Sequence, residues 1–221
     1  MKHPITDYAT LVFDCDGVVL NSNRVKTEAF YQAALPYGKA AAQRLVDYHV
    51  QHGGISRYAK FAYFMEHLIE PGQTGPALEE LLTRYAAEVH EGLLKCDMAS
   101  GLQALRERTA SARWMIVSGG DQAELREVFA ARGMADLFES GIFGSPDTKD
   151  EILARELASG NLQQPALFLG DSKYDYQAAS AAGLDFVFLS GWSEVSDWQG
   201  WCTQNALTQV ESLKSLSSSR S

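Results

Sequence analysis

Thr10-Leu11-Val12-Phe13-Asp14-Cys15-Asp16-Gly17-Val18-Val19 is the stretch on which the reading of this chain turns. An apolar run stops abruptly at two aspartates and a glycine. A strand with one wet face alternates apolar and polar residues, whereas a strand of a parallel sheet is covered on both faces and reads as a continuous apolar run. Similar runs recur at Trp114-Met115-Ile116-Val117, Ala166-Leu167-Phe168-Leu169 and Phe186-Val187-Phe188-Leu189, with a weaker one at Gly141-Ile142-Phe143. Helical patterns lie between them: 100–108 with Ser100 as candidate cap, 121–132 closed by Gly133, 149–158, and 174–182 closed by Gly183. Strands alternating with helices predict βαβ units, hence an α/β fold with a Rossmann-like, mostly parallel sheet flanked by helices.

Residues 23–97 break that rhythm. They hold no convincing strand, only helical stretches near 24–35, 38–50, 56–69 and 77–92, punctuated by Pro36, Gly53-Gly54, Pro71-Gly72 and Gly75-Pro76. This predicts an all-helical subdomain (23–97) inserted into a core made of 1–22 and 98–221, with hinges at Asn21-Ser22 and near 97–100. A total of 221 residues suits one domain with such an insertion. The tail 217–221 is expected to fray.

Composition excludes several classes of function. With 19 basic and 28 acidic residues the net charge is −9, which argues against general nucleic-acid binding. At 46% hydrophobic the chain can bury a core. No apolar run approaches the roughly 20 residues of a membrane span, and the first residues lack a basic-then-apolar secretory pattern. Cys15, Cys96 and Cys202 are odd in number and far apart, which argues against a disulfide framework or structural zinc and for a reducing cytoplasm. A cytoplasmic monomer or homodimer, without nucleic-acid or membrane partners, is the expectation.

In open α/β sheets, ligands bind outside the carboxyl ends of the strands. After the first run stand Asp14 and Asp16; after the second, Ser118-Gly119-Gly120. Gly170-Asp171-Ser172 follows another, with Asp175 four residues beyond Asp171, and Lys149 opens a helix. Singly, such residues are turn formers and caps. Together, four carboxylates, a hydroxyl and a lysine converge on one sheet edge. Packed carboxylates repel, so protons or a cation must relieve them, and Mg²⁺ does so while leaving coordination positions for a phosphate. Asp14 could then attack phosphorus to give an aspartyl-phosphate, with Asp16 as general acid and later base. The Ser118 hydroxyl and Gly119 amide would hold phosphoryl oxygens and Lys149 would neutralise charge.

Asp14-Cys15-Asp16-Gly17-Val18-Val19, Ser118 after its strand, Lys149, and Gly170-Asp171-Ser172-Lys173-Tyr174-Asp175 resemble, in order, the four motifs of the haloacid dehalogenase superfamily. The resemblance spans nearly the whole chain, with the helical insertion where that superfamily carries its cap. It implies a metal held by the carboxylates of Asp14 and Asp171 and the backbone carbonyl of Asp16, with Asp175 assisting directly or through water. It also implies that 18–22 is a flexible flap. Asp16 is absent from the dehalogenases themselves, so the resemblance implies phosphoryl transfer instead of carbon–halogen hydrolysis. The branch it resembles is that of phosphoglycolate phosphatases and β-phosphoglucomutases, which usually have Asp where this chain has Asn21 and Pro where it has Asp150. The expected function is a Mg²⁺-dependent phosphatase for a small phosphorylated metabolite, such as a sugar or sugar-acid phosphate. A phosphomutase is the alternative; a phosphoacceptor signalling domain or a non-catalytic binding module stand further off.

Cap residues would choose the leaving group. Gly53-Gly54-Ile55-Ser56-Arg57-Tyr58 reads as a loop in which Arg57 either pairs with an anion or sits exposed on a helix capped by Ser56. Asn23 and Lys26, just past the flap, could also face the substrate. Lys26 and Lys60 are candidates for Schiff-base chemistry, although surface positions are the expectation for both. His49, His52 and Asp47 read as a solvated helix end, not a metal site. Tyr58, Phe61, Tyr63 and Phe64 with Met65 and Leu68 read as cap core. Alternation points Cys15 away from the aspartates into packing. Trp192, Trp198 and Trp201 either cover a sheet edge or form a dimer surface.

Overall fold

The computed structural model describes residues 1–218. All four residues of β1 (Thr10–Phe13) are buried, as the unalternating run requires. It lies inside a six-stranded sheet with β2 (Arg113–Asp121), β3 (Ile142–Ser145), β4 (Ala166–Gly170), β5 (Asp185–Leu189) and β6 (Thr208–Val210). The order is β3-β2-β1-β4-β5-β6, with every neighbouring pair parallel. Leu11 pairs in register with Trp114 on one side and Leu167 on the other. Alternate residues feed two cores. Leu11, Phe13, Trp114, Ile116, Leu167 and Leu169 join one; Val12, Met115, Val117, Phe168 and Phe188 join the other. The chain builds β1, β2 and β3 to one side and then returns to place β4 on the other, so the strand order reverses beside β1, where a ligand crevice opens in such sheets.

The insertion is helical throughout: α1 (Asn23–Ala34), α2 (Lys39–Gln51), α3 (Arg57–Tyr63), which passes into a π-turn over Phe64–Leu68, and α4 (Leu78–Lys95). Phe30, Phe61, Phe64, Leu81, Tyr85 and Val89 form its interior, continuous with the first core. Tyr58 and Tyr63, expected in that interior, are instead exposed; Tyr63 stacks on Tyr48, with ring centroids 4.1 Å apart. The two connections to the sheet run side by side: Asn21 N donates to Asp97 O (2.9 Å), Ala99 N donates to Val19 O (2.9 Å), and Leu20 bridges Met98 in antiparallel sense. Val18, Val19 and Leu20, expected in a flexible flap, are fully buried, with all three amides donating to Cys15 O.

Alternating with the strands are α5 (Leu102–Arg108), α6 (Gln122–Ala131), α7 (Lys149–Ala158), α8 (Lys173–Ala181), α9 (Trp198–Gln204) and α10 (Leu213–Ser218). Ser100 does not cap α5; Gly101, in the left-handed region at φ 85°, takes that position. β6, α9 and α10 carried no clear sequence signal, because the three residues of β6 are half-exposed and the two helices are short. Trp198 and Trp201 cover Phe188 at centroid distances of 6.0 and 5.5 Å, while Trp192 packs on the opposite core. Cys15 is buried with the first core, and all three cysteines are free. Of the tail, 217–218 complete α10 and 219–221 lie outside the described residues. No helix among the described residues is long and apolar enough to cross a membrane.

Candidate active site

Asp14 follows β1 directly. Its amide donates to Leu169 O (2.9 Å), keeping it in line with the sheet, and its Oδ1 accepts from Cys15 N (2.7 Å). The chain must then turn within one residue of Asp16. Gly17 does this at φ 71°, and a Cβ there would stand 2.0 Å from Asp171 Oδ2, so only glycine lets the first loop close on the fourth. At the end of β4, Asp171 is followed by Ser172 and Asp175, which form a reciprocal capping box at the start of α8. Asp175 Oδ2 accepts from Asp171 N (3.1 Å), Ser172 N (3.0 Å) and Ser172 Oγ (2.7 Å). Lys149, at the start of α7, donates to Asp175 Oδ1 and lies 3.0 Å from Asp14 Oδ2. One buried ammonium thus bridges two buried carboxylates.

Asp14, Asp171 and Asp175 each present an oxygen within 4.8 Å of the others. Burial pushes Asp14 up to about 7, opposed by Lys149 and reinforced by Asp175 and Asp16. Asp171 is pushed well above the ordinary range by burial, Asp175 and Asp14. Lys149 is held above its ordinary value: Asp14 and Asp175 more than offset its burial. Three buried carboxylates thus share one lysine, and the raised proton affinities of Asp14 and Asp171 reflect negative charge that Lys149 alone does not balance. All-oxygen donors with surplus negative charge suit a hard divalent cation. Asp14, Asp171 and Asp175 are the carboxylates that could hold it, and the hydrogen bonds of Asp175 also position Lys149 and the Asp171 loop. The carboxylate of Asp16 is not part of this convergence: its Oδ1 accepts from Ser22 Oγ (2.6 Å) and its Oδ2 from Lys26 Nζ (2.5 Å). Burial raises Asp16, but the Lys26 ammonium and these two hydrogen bonds outweigh it and leave the carboxyl below its ordinary value.

β2 extends further than its apolar run, to Asp121, with a register shift against β3 between Val117 and Asp121. The irregular segment carries Ser118, whose buried Oγ accepts from Gly120 N (3.0 Å). Gly119 and Gly120 line a cavity of about 60 Å³ between sheet edge and insertion, with Asp14, Asp16 and Asp171 on its floor. Ser118, Lys149 and Asp175 stand behind that lining. A Cβ on Gly119 would meet Gly54 O at 2.2 Å, so the Gly53-Gly54 loop rests directly on the strand end.

The insertion contributes more than its sequence suggested. Asn23 Nδ2 donates to Asp171 Oδ2 (2.8 Å) and Trp192 O (2.8 Å). Arg57 is buried, not exposed: it pairs with Glu124 of α6 and lies over the Tyr85 ring at 4.6 Å. Lys26 and Lys60 are buried as well, at 7% and 2% exposure, against the expectation of surface lysines. His49, expected at a solvated helix end, is buried, and its Nδ1 lies 2.7 Å from Lys60 Nζ. The overlooked signal was helical register. Lys26 shares a stripe with Ala29, Phe30 and Ala33, His49 with Ala41, Ala42 and Leu45, and Lys60 with Phe61 and Phe64. A cation on an apolar stripe faces the interior.

A family model of haloacid dehalogenase-like hydrolases matches residues 8–183. No curated protein sequence matches the chain. Among solved structures, CbbY from Rhodobacter sphaeroides in complex with phosphate shares 17% identity at a TM-score of 0.69, over 95% of this chain and 96% of that one. A CbbY variant from the same organism, in complex with xylulose-(1,5)bisphosphate, gives a TM-score of 0.67 at 17% identity over 94% and 95% of the two chains. A protein from Haemophilus somnus described as a predicted phosphoglycolate phosphatase gives 0.73 at 17% identity, over 95% and 96%.

Proposed function

Since the chain belongs to the haloacid dehalogenase-like hydrolase family, we propose that it is a Mg²⁺-dependent phosphatase of small phosphorylated metabolites. The observation that carries this reading is the bridging of Asp14 and Asp175 by Lys149 beside Asp171. It sets Asp14, a buried carboxylate beside a buried ammonium, at the wall of a cavity that would hold a phosphate. Solved relatives of the same fold bind phosphate and a sugar bisphosphate, which supports a sugar or sugar-acid phosphate as substrate. The free cysteines fit a reducing compartment.

An Asp14 oxygen attacks phosphorus in line, and the bond from phosphorus to the substrate oxygen breaks. Asp16 gives that oxygen its proton. Water then attacks the aspartyl-phosphate, Asp16 takes the water proton, and inorganic phosphate leaves with Asp14 restored. In the present arrangement Lys26 keeps Asp16 ionised. A phosphate arriving beside Lys26 competes for that ammonium and lets Asp16 take up the proton it must donate. Lys149 offsets charge on Asp14, and the Gly119 amide and Ser118 hydroxyl are suited to phosphoryl oxygens. Asp14, Asp171 and the Asp16 carbonyl would hold a divalent ion, with Asp175 assisting, and that ion would supply a positive field that draws phosphate toward the acids.

A cavity of about 60 Å³ holds a handful of waters, at roughly 10–15 Å³ each. Residues 23–97 therefore act as a lid that lifts from the core of 1–22 and 98–221 to load substrate and settles to exclude water. The test is phosphate release across sugar, polyol, nucleotide and carboxylic-acid phosphates with Mg²⁺. Turnover is expected for at least one class and a loss of about a thousandfold or more in Asp14→Asn. Residual activity above that level would rule out the covalent route. Isomerised sugar phosphate in place of free phosphate would make the enzyme a mutase.

A further inference from the structure

The cavity has acids on its floor and cations in its roof. Two roof cations are neutralised: Lys26 by Asp16 and Arg57 by Glu124. Lys60 is not. It is 2% exposed, and no carboxylate pairs with it among the described residues; its close polar partner is His49 Nδ1. Glu194, the acid on the neighbouring wall, accepts from Thr27 instead. The Phe30 ring lies 5.6 Å from Nζ, and burial followed by Lys26 depresses the amine to about 7; Asp16 and Glu194 oppose this shift from a distance without forming an ion pair with it.

Donor accounting sharpens this. As an ammonium, Lys60 has three hydrogens and no acceptor, so in that state His49 Nδ1 accepts from it and the ring hydrogen sits on Nε2. That Nε2 is buried and, alone among the buried side-chain nitrogens and oxygens described, has no hydrogen-bond partner. Both residues line the cavity. In that state two spare ammonium hydrogens and one imidazole N–H are left without a protein oxygen at the cavity wall.

We propose that Lys60 and His49 form a receptor for a second anionic group of the substrate, a phosphate or carboxylate on the end remote from the phosphoryl group that Asp14 attacks. This rests on the phosphatase reading of the floor. Oxygens of such a group accept from Nε2–H and from the free Nζ hydrogens, and their charge fixes Lys60 as an ammonium. A neutral tail leaves all three donors buried and unmet, which turns the roof into a filter against simple monophosphates.

The experiment compares matched pairs that differ only in the tail: a phosphorylated hydroxy acid against the corresponding polyol phosphate, and a sugar bisphosphate against its monophosphate. Values of kcat/KM are measured on the natural chain, and equilibrium binding of the same four compounds is measured on full-length Asp14→Asn. Anionic tails should be preferred by about tenfold or more, the effect of one hydrogen bond to a charged group, in both assays. The two pairs separate carboxylate from phosphate as the preferred tail. In Lys60→Met and, independently, in His49→Phe, each checked for a native melting transition, the preference should fall to within about threefold of unity. Phosphate release without tail preference, or a preference that survives both variants, would overturn the receptor while leaving the phosphatase intact. Preferential binding without any phosphate release would do the reverse, and absence of both would sink both.

Discussion

Lys60 is an ionisable amine that the fold removes almost wholly from the surface. Unfolded, it keeps its proton up to about pH 10.5; folded, burial and Lys26 bring that down to about 7. Between those values the unfolded chain carries the extra proton, so raising the pH favours the folded state, and below about pH 7 the penalty is constant. A tenfold change in proton affinity is worth about 1.4 kcal/mol. Denaturant melts of the natural chain and Lys60→Met should therefore diverge by a few kcal/mol in favour of the natural chain as pH rises from 7 toward 10. A flat difference would mean that Lys60 keeps an ordinary proton affinity. Residues of this kind also mark how far the site was legible. Asp14 and Asp171 are readable because each stands at the end of an apolar run and strand ends share an edge; Asp175 joins them from the first turn of α8, while the Asp16 carboxylate turns to Ser22 and Lys26. His49 and Lys60, expected at the surface, are buried because helical register outweighs charge, while Lys26 and Arg57, each read as either facing the substrate or exposed, are buried and line the cavity. The pairing of Lys149 with Asp175 was not readable at all, since nothing in a linear sequence says which acid a lysine will reach.

At the scale of elements, the continuous apolar runs foretold β1, β2, β4 and β5 within a residue or two, apart from the carboxyl end of β2. That end runs on through Ser118-Gly119-Gly120 because β3 continues beside it after a register shift, a long-range pairing that local pattern does not encode. The extension brings Gly119 under the loop between α2 and α3. Gly119→Ala puts a methyl where Gly54 O stands 2.2 Å away, and two backbones must separate to admit it. This substitution is expected to lower kcat/KM by about tenfold or more, as small misplacements at a reacting centre do, with little change in the melting temperature. Unimpaired turnover would show that the loop closes elsewhere during the reaction.

Across the whole molecule, cap and core are joined by oppositely charged or hydrogen-bonded pairs: Arg57 with Glu124, Tyr58 Oη with Asp121 Oδ2 (2.7 Å), and Thr27 with Glu194. Arg57 is buried and the Glu124 side chain nearly so, so removing the glutamate charge leaves a desolvated guanidinium in the closed form only. Glu124→Gln should shift the balance toward an open cap by on the order of 2–5 kcal/mol. The readouts are faster amide exchange over α3, a larger radius of gyration in solution scattering, and a raised KM. Unchanged exchange in α3 would mean that the cap is held by other contacts. The connections beneath the cap carry a different consequence. Asn21 N reaches Asp97 O at 2.9 Å, so the insertion leaves and rejoins the core at a single doorway. The entropy of closing a loop through such a doorway grows only with the logarithm of its length. To the sheet, a long insertion is hardly more burdensome than a short one. The core can thus exchange one insertion for another, keep its acids in place, and acquire a new diet.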